Sequence, residues 1–422
     1  MKKPQLPTQL SENLEKIAIN RDKASKLIAE VLEKRTKKAK TEAGSNAEST
    51  DKPTSQTAPT GKTTPDDNAN ETAAEKANVL RIAVLGGGSF GTAMANLSAK
   101  NGCDTTLWVR DKRAVKSMQK TLINKKYLPN HKLDEHLQFT HELGDAVKDK
   151  DLIFVAVPSS AFRETLQNIA PFITSQALVS LTKGMEKDTF ALMSDIIEQE
   201  LPNVAFGVMS GPNLAKEIMD NMPSATVIAS TSESLRLAVQ TALHSAFFRV
   251  FASDDVVGVE LGGALKNIYA IAMGMATAYD IGENTKAMIL TRGLAEMSRF
   301  GVSAGANPLT FLGLSGVGDL YATCSSVLSR NYQIGNMLGR GISLEQAIKK
   351  LGQTAEGINT IQQVNEKATK DGIYMPITHA LYAIIFEDKA PLGVALNLME
   401  SGFRSDVEFV MPHQITHTEK PN

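Results

Sequence analysis

The stretch Arg81-Ile82-Ala83-Val84-Leu85-Gly86-Gly87-Gly88-Ser89-Phe90-Gly91 restricts the fold of this chain more than any other. A short apolar run suited to a buried parallel strand leads straight into Gly-x-Gly-x-x-Gly. A helical pattern follows from Thr92 through Leu97 towards Lys100. Gly86 makes the tight turn out of the strand. Gly88 has no Cβ, so a pyrophosphate can approach the backbone, and Gly91 lets the helix pack closely on the sheet. Free N–H groups and the positive end of the helix dipole then face the phosphates. A glycine-rich turn alone is commonplace, but the strand before it and the helix after it make this one a dinucleotide-binding turn.

Further runs repeat the pattern. Thr105-Thr106-Leu107-Trp108-Val109-Arg110 reads as the second strand, and it ends about twenty residues past the last glycine, where NAD sites usually carry Asp or Glu. This chain has Arg110 there, followed by Lys112 and Arg113. A guanidinium cannot accept a ribose hydroxyl's proton but suits a 2′-phosphate. The expected coenzyme is therefore NADP(H) in preference to NAD(H). The plain alternative is an arginine in solvent. Asp151–Pro158, Ala177–Gly184, Val204–Asn213, Ala225–Ala229 and Phe247–Phe251 are further apolar runs, alternating with helical segments. They predict a Rossmann-like, doubly wound α/β sheet over residues 78–254. Strand signals then nearly vanish, which predicts an all-α domain over 255–412 and a flexible tail over 413–422.

Within the second domain, Lys266 lies in a small-residue helix with almost no other charge nearby in sequence. Such a lysine either snorkels outward or sits in a polar pocket, where burial lowers its pKa towards an acid/base range. Lys183 stands at a strand end, as a phosphate or carbonyl contact or as a loop charge. Asp319 closes the glycine-dense run Gly313–Gly318, either beside a lysine or as a helix cap. Ser329-Arg330-Asn331 groups three donors suited to a phosphomonoester; the alternative is Ser329 capping the next helix.

Residues 1–40 carry Leu10, Leu14, Ile17, Ala24, Ile28 and Val31 at helical spacing, ending in the basic Lys34–Lys40. This amphipathic extension reads as a solvated helix, a partner helix or an anchor for an acidic surface. Residues 41–77 hold almost no large apolar side chains and form a disordered linker. The chain has 422 residues, 42% hydrophobic, with a formal net charge of -1. That length and composition support two or three domains, and the balance gives no reason to expect nucleic acid. Cys103 and Cys324 are the only cysteines. Neither belongs to a metal-ligand pattern, so no metal is expected and a reducing, cytoplasmic setting fits. No apolar run is judged long enough to span a bilayer.

Together the blocks GGGSFGTAMA, LWVRD, KYLP, VAVPS, LTKGME, SGPNLAKE, VGVELGGALKNIYAIAMG, TRGLAEMSR, GLSGVGDLYATC, SRN, GQTAEG and MPIT resemble the NAD(P)-dependent glycerol-3-phosphate dehydrogenase family of bacterial type. They run in order from Arg81 to Thr378. The resemblance implies interconversion of sn-glycerol 3-phosphate and dihydroxyacetone phosphate with NAD(P)(H) and supply of glycerophospholipid backbone; the all-α second domain offers surface for a homodimer. It implies that Lys266 is the proton donor and acceptor, with Lys183 and Asp319 supporting it. Substrate contacts would come from Lys183, Gly211, Asn213, Lys266, Asp319, Ser329, Arg330 and Asn331. Coenzyme contacts would come from Gly86, Gly88, Ser89, Phe90, Gly91, Arg110, Lys183, Ala215, Arg330, Thr354 and Glu356. Asn213 stands where the family often has Thr or Ser, Phe90 where it often has Trp or Tyr, and Thr354 where an aliphatic residue is common. Three other readings accompany this one: a reductase of another small ketone, a non-catalytic NADPH-sensing module, and a scaffold protein with the first helix as its working part.

Overall fold

The computed structural model describes residues 79–351 and 356–400. The expectations for the first helix, the linker, Thr354 and the tail lie outside the described residues. Strands β1 (Arg81–Leu85), β2 (Asp104–Trp108), β3 (Gln138–Thr140), β4 (Leu152–Val155), β5 (Ala177–Ser180), β6 (Phe206–Ser210), β7 (Ser224–Ala229) and β8 (Phe248–Ser253) form one sheet in the order β3-β2-β1-β4-β5-β6-β7-β8. It is parallel from β3 through β6. Helices α1 (Ser89–Lys100), α2 (Lys112–Thr121), α3 (Leu143–Val147), α4 (Phe162–Ile169), α5 (Met193–Glu200), α6 (Ala215–Met219) and α7 (Glu233–Leu243) accompany it. Val84, Leu107 and Phe154 enter one apolar cluster, and Leu85, Ile153 and Val155 another. Burial on both faces explains why these strands are unbroken apolar runs and not alternating ones. The strand order reverses between β1 and β4, which opens a crevice at their carboxyl ends, where such sheets take their ligands.

Two features of the sheet were not legible in the sequence. β3 has three residues, too few to show a period. β7 runs antiparallel to β6, with Met209 opposite Ile228. The connection between them holds only α6, a helix of five residues. Such a helix advances about 7.5 Å, less than half of the ~17 Å needed to return along a five-residue strand. The chain therefore re-enters the sheet from the edge at which it left. This brings Thr226 of β7 beside Gly211 and Asn213.

The second domain is helical: α8 (Val256–Thr277), α9 (Glu283–Ser303), α10 (Asp319–Ser325), α11 (Arg330–Gly339), α12 (Leu344–Leu351), α13 (Glu356–Asp371), α14 (Pro376–Phe386) and α15 (Pro391–Glu400). Between α9 and α10 the chain forms a 3₁₀ turn, Pro308–Leu312, and a π turn, Leu314–Gly318, separated by extended backbone at Gly313. Helix α8 is the axis of the domain. Asp255 caps it by accepting from the Gly258 N–H at 2.9 Å. Its Leu265, Ile268, Tyr269 and Ile271 are fully buried. It meets α11 backbone to backbone: a Cβ at Gly274 would lie 2.0 Å from the Tyr332 carbonyl oxygen, and one at Gly335 would lie 2.0 Å from that of Ile271. By length and composition α8 could cross a membrane, contrary to the sequence reading that no apolar run suffices. It holds Glu260 and Lys266, and 89% of its apolar window is buried inside the protein. Its apolarity is that of a domain core.

Candidate active site

The glycine turn is built by steric exclusion. Gly86 sits at φ +127, where a Cβ would stand 2.4 Å from the Ala156 carbonyl oxygen. A Cβ on Gly91 would lie 2.1 Å from the Gly86 carbonyl oxygen, so only glycine lets α1 rise directly out of the turn. A Cβ at Gly88 would meet nothing within 4 Å. Gly88 also opens α1 with no side-chain cap and no acidic residue in the first turn. The unpaired N–H groups of that turn, half-lined by Ser89 and Phe90, therefore face open space with the positive end of the helix dipole. That donor set fits the pyrophosphate of a dinucleotide. Asn124, which the sequence reading passed over, fixes the turn by donating to the Gly87 carbonyl and to Thr92 Oγ1, both at 2.9 Å. Arg110 is exposed just beyond β2, with Lys112 and Arg113 opening α2 behind the Asp111 cap. Ala215 opens α6 and packs, half-buried, against the cluster that holds Val84.

The segment Ala156–Ser159 joins this turn to the next part of the site. It lies against Gly86 on one side, and on the other Ser159 touches the loop after β5, 3.2 Å from where a Gly184 Cβ would be. Lys183 is the third residue of that loop. Its Nζ donates to Asp319 Oδ2 at 2.6 Å and to the Gly211 carbonyl at 3.0 Å. Lys266 comes from α8, and its Nζ donates to Asp319 Oδ1 at 2.5 Å and to Thr323 Oγ1 at 2.7 Å. Each oxygen of one carboxylate thus holds a different lysine. Asp319 is 1% exposed and Lys266 8%. Of its two readings, the ion-pair one is realised, because Asp319 starts α10 without capping it. Two ammoniums against one carboxylate leave a net positive charge in an enclosed place. Burial draws Lys183 down to about 8, with Lys266 acting in the same direction and Asp319 opposing. The neighbouring Cys324 thiol is pushed up by burial to about 12, which makes it unreactive.

Thr323, like Asn124, is a site residue that sequence reasoning missed. It lies one turn after Asp319 on α10, donates to the Asp319 carbonyl at 2.7 Å and accepts from Lys266. The only available signal was its spacing of four from Asp319, which places both on one helix face.

The remaining expected contacts border this cluster. Asn213 Nδ2 donates to Thr226 Oγ1 at 2.9 Å, and Thr226 in turn donates to the Ser210 carbonyl at 3.1 Å. Asn213 Oδ1 is buried without a partner. Ser329 caps α11, accepting from the Tyr332 N–H at 3.4 Å, so the capping alternative is realised. Arg330 follows it, exposed, and Asn331 Oδ1 accepts from the Gly357 N–H at 3.3 Å. Burial raises the Glu356 carboxyl, while Arg330, Lys183 and Lys266 pull it down. These three cations and Glu356 therefore share one electrostatic neighbourhood. A paired carboxylate, two amines of which Lys183 is drawn down to about 8, and flanking oxyanion donors can hold a phosphate ester and exchange a proton with an adjacent oxygen.

Two family models match the chain: the NAD-dependent glycerol-3-phosphate dehydrogenase N-terminus over residues 81–236 and its C-terminus over 255–395. A protein of Psychrobacter cryohalolentis named glycerol-3-phosphate dehydrogenase (NAD(P)+) is 80% identical over 334 residues, 79% of this chain and 78% of that one. One of the same name from Acinetobacter baumannii is 67% identical over 341 residues, 81% of this chain and 96% of that one. Among solved structures, glycerol-3-phosphate dehydrogenase from Coxiella burnetii superposes with a TM-score of 0.73 at 37% identity, covering 76% of this chain and 99% of that one.

Proposed function

The chain belongs to the NAD-dependent glycerol-3-phosphate dehydrogenase family, and from that membership and the geometry above we propose how its residues divide the work. The protein interconverts sn-glycerol 3-phosphate and dihydroxyacetone phosphate with a nicotinamide coenzyme. The observation that carries the assignment of roles is the Lys183–Asp319–Lys266 cluster.

Gly86, Gly88 and Gly91 with the first turn of α1 would hold the coenzyme's phosphates, with Ser89, Phe90, Lys183, Ala215, Arg330, Thr354 and Glu356 as further contacts. The coenzyme, when bound, exchanges a hydride with the substrate's C2. Lys266 gives its proton to the C2 oxygen during reduction and takes one from the hydroxyl during oxidation. Asp319 and Thr323 fix the direction of that ammonium. Lys183 places a second positive charge where the oxygen becomes negative. Ser329, Arg330 and Asn331, with Gly211 and Asn213, hold the phosphate end, and that remote binding energy orients the carbonyl. The deciding assay follows oxidation of NADPH and NADH with dihydroxyacetone phosphate, beside a Lys266→Ala protein.

Arg330 is the phosphate anchor in this scheme. Arg330→Ala is expected to raise KM for dihydroxyacetone phosphate roughly thirtyfold, the equivalent of about 2 kcal/mol from a lost charge-assisted contact. Turnover of phosphate-free dihydroxyacetone, measured at saturating coenzyme because Arg330 is also assigned a coenzyme contact, should fall far less. An equal loss on both ketones would assign Arg330 elsewhere.

The finer assignments rest on single features. Arg110 supports a preference for NADP(H). Arg110→Ala should raise KM for NADPH roughly tenfold, the low end for a charged hydrogen bond at an exposed site, and leave KM for NADH within about twofold. Equal effects on the two coenzymes would remove the 2′-phosphate role. The exposed apolar Leu392, Leu396 and Met399 of α15 support a homodimer. The two free cysteines support a cytoplasmic enzyme that supplies glycerophospholipid synthesis.

A further inference from the structure

Glu260 lies on α8, six residues before Lys266, and is 4% exposed. Its partners are not in its own domain. Oε1 accepts from the Met193 N–H at 2.7 Å and the Ser194 N–H at 3.3 Å, and Oε2 accepts from Ser194 Oγ at 2.6 Å. Met193 and Ser194 are the first residues of α5 in the sheet domain. The N-cap residue of α5 is Leu192, which has no side-chain oxygen. A carboxylate from the other domain thus does the capping, in the field of the helix dipole that favours a negative charge.

What α5 terminates gives this contact its importance. The segment from Lys183 to Leu192 is a closed loop, tied by a bridge between Met185 and Leu192 and by the Glu186 N–H donating to the Ala191 carbonyl at 2.9 Å. Lys183 opens that loop and the Glu260 contact closes it. The same carboxylate is rooted in the helix that carries Lys266. The Glu260 side chain therefore ties the far end of that loop to the helix that carries Lys266, across the domain boundary, while Gln363 Nε2 of α13 holds the middle of the same loop by donating to the Glu186 carbonyl at 2.8 Å. Burial disfavours a carboxyl at such a place and raises it to about 7, while its three donors act against the shift.

We propose that Glu260 is a positioning residue which sets Lys266 and Lys183 in register across the two domains, so that both amines meet one substrate oxygen. The proposal rests on the reading of Lys266 as proton donor. Glu260 touches neither substrate nor coenzyme and acts only through its grip on α5.

The test compares Glu260→Ala, Glu260→Gln and Ser194→Ala in the full chain. It uses steady-state kinetics, NADPH titration by fluorescence, and the isotope effect of NADPH deuterated at the transferred position. Misalignment by a fraction of an ångström costs tens-fold in rate, so Glu260→Ala should lower kcat per bound coenzyme about thirtyfold. The NADPH dissociation constant should stay within about twofold, since the phosphate turn is untouched, and the isotope effect should rise as the chemical step becomes limiting. Glu260→Gln keeps an oxygen for the Met193 N–H and should retain kcat within about threefold; Ser194→Ala, losing one of three donors, should cost roughly two- to fivefold. A merely structural role would lower the bound-coenzyme stoichiometry and leave the isotope effect unmoved, and that result overturns the proposal. So does Glu260→Gln as slow as Glu260→Ala. If Glu260→Ala yields no folded protein, Ser194→Ala with wild-type kcat and isotope effect overturns it. An active Lys266→Ala protein would instead remove the reading of the site on which the proposal rests.

Discussion

Lys266→Ala is expected to lower kcat for dihydroxyacetone phosphate reduction by about a thousandfold, the middle of the range for a positioned general acid. NADPH should still bind with nearly unchanged affinity. The substitution is mild for the fold. Alanine is the best helix former, and α8 is already rich in it. Asp319 keeps Lys183 as its counter-charge at 2.6 Å, so no buried carboxylate is stranded. The glycine turn lies on the other domain and loses no contact. What disappears is the single amine that Asp319 and Thr323 both orient. A small primary amine added to the assay should restore part of the rate by entering the vacated space. Turnover within about fivefold of wild type would show that the proton comes from elsewhere, because general-acid contributions are far larger than that.

Asp319→Asn should be nearly as damaging, and to stability as well. Asp319 is the counter-ion of two enclosed ammoniums, and losing one partner of a buried ion pair typically costs about 3–5 kcal/mol. The amide can accept from one lysine but carries no charge. In the wild type, burial already draws Lys183 down to about 8, with Asp319 pulling the other way. Catalysis that needs the Lys183 ammonium should therefore decline as pH rises through about 8. Without Asp319 that decline should begin at lower pH, leaving little activity at neutrality. The stability effect has the opposite slope. A lysine whose folded pKa lies below its unfolded value binds fewer protons when folded, so Lys183 contributes a gain in stability as pH rises from about 8 to 10.5. In Asp319→Asn the gain should start lower. Thermal midpoints and kcat/KM across pH 6–10 measure both. Coincident profiles for the two proteins would mean that Asp319 does not govern Lys183.

The two-domain plan was legible because β1, β4 and β5 are buried on both faces and α8 is packed on every side, so unbroken apolar runs marked all of them. Lys266 could be picked out for the same reason, since one of only two charges in an Ala/Gly/Ile helix needs a partner. The partner itself was open. Asp319 could equally have been a cap, and only the fold brings it to a lysine 53 positions away. Ser329 shows the reverse, because its capping role was readable and realised. Asn124 gave no signal and Thr323 only its spacing from Asp319, since a threonine in a helix or an asparagine in a loop has an ordinary local explanation. The direction of β7 was hidden because strand propensity carries no polarity; the short α6 decides it. Glu260 was hidden because two of its three donors are backbone N–H groups, which every residue carries, and the third is a serine 66 positions away.

The backbone contact between α8 and α11 bears on how this enzyme can diversify. A side chain at Gly274 or Gly335 has no room, and the shaft that carries the amine is frozen on that flank. Variation that retunes which ketone is accepted must then accumulate in the borders, at Asn213–Leu214 and Ser329–Asn331, where segments end. Lineages of such proteins would keep one immobile chemical axis and explore new cargo only at its rim.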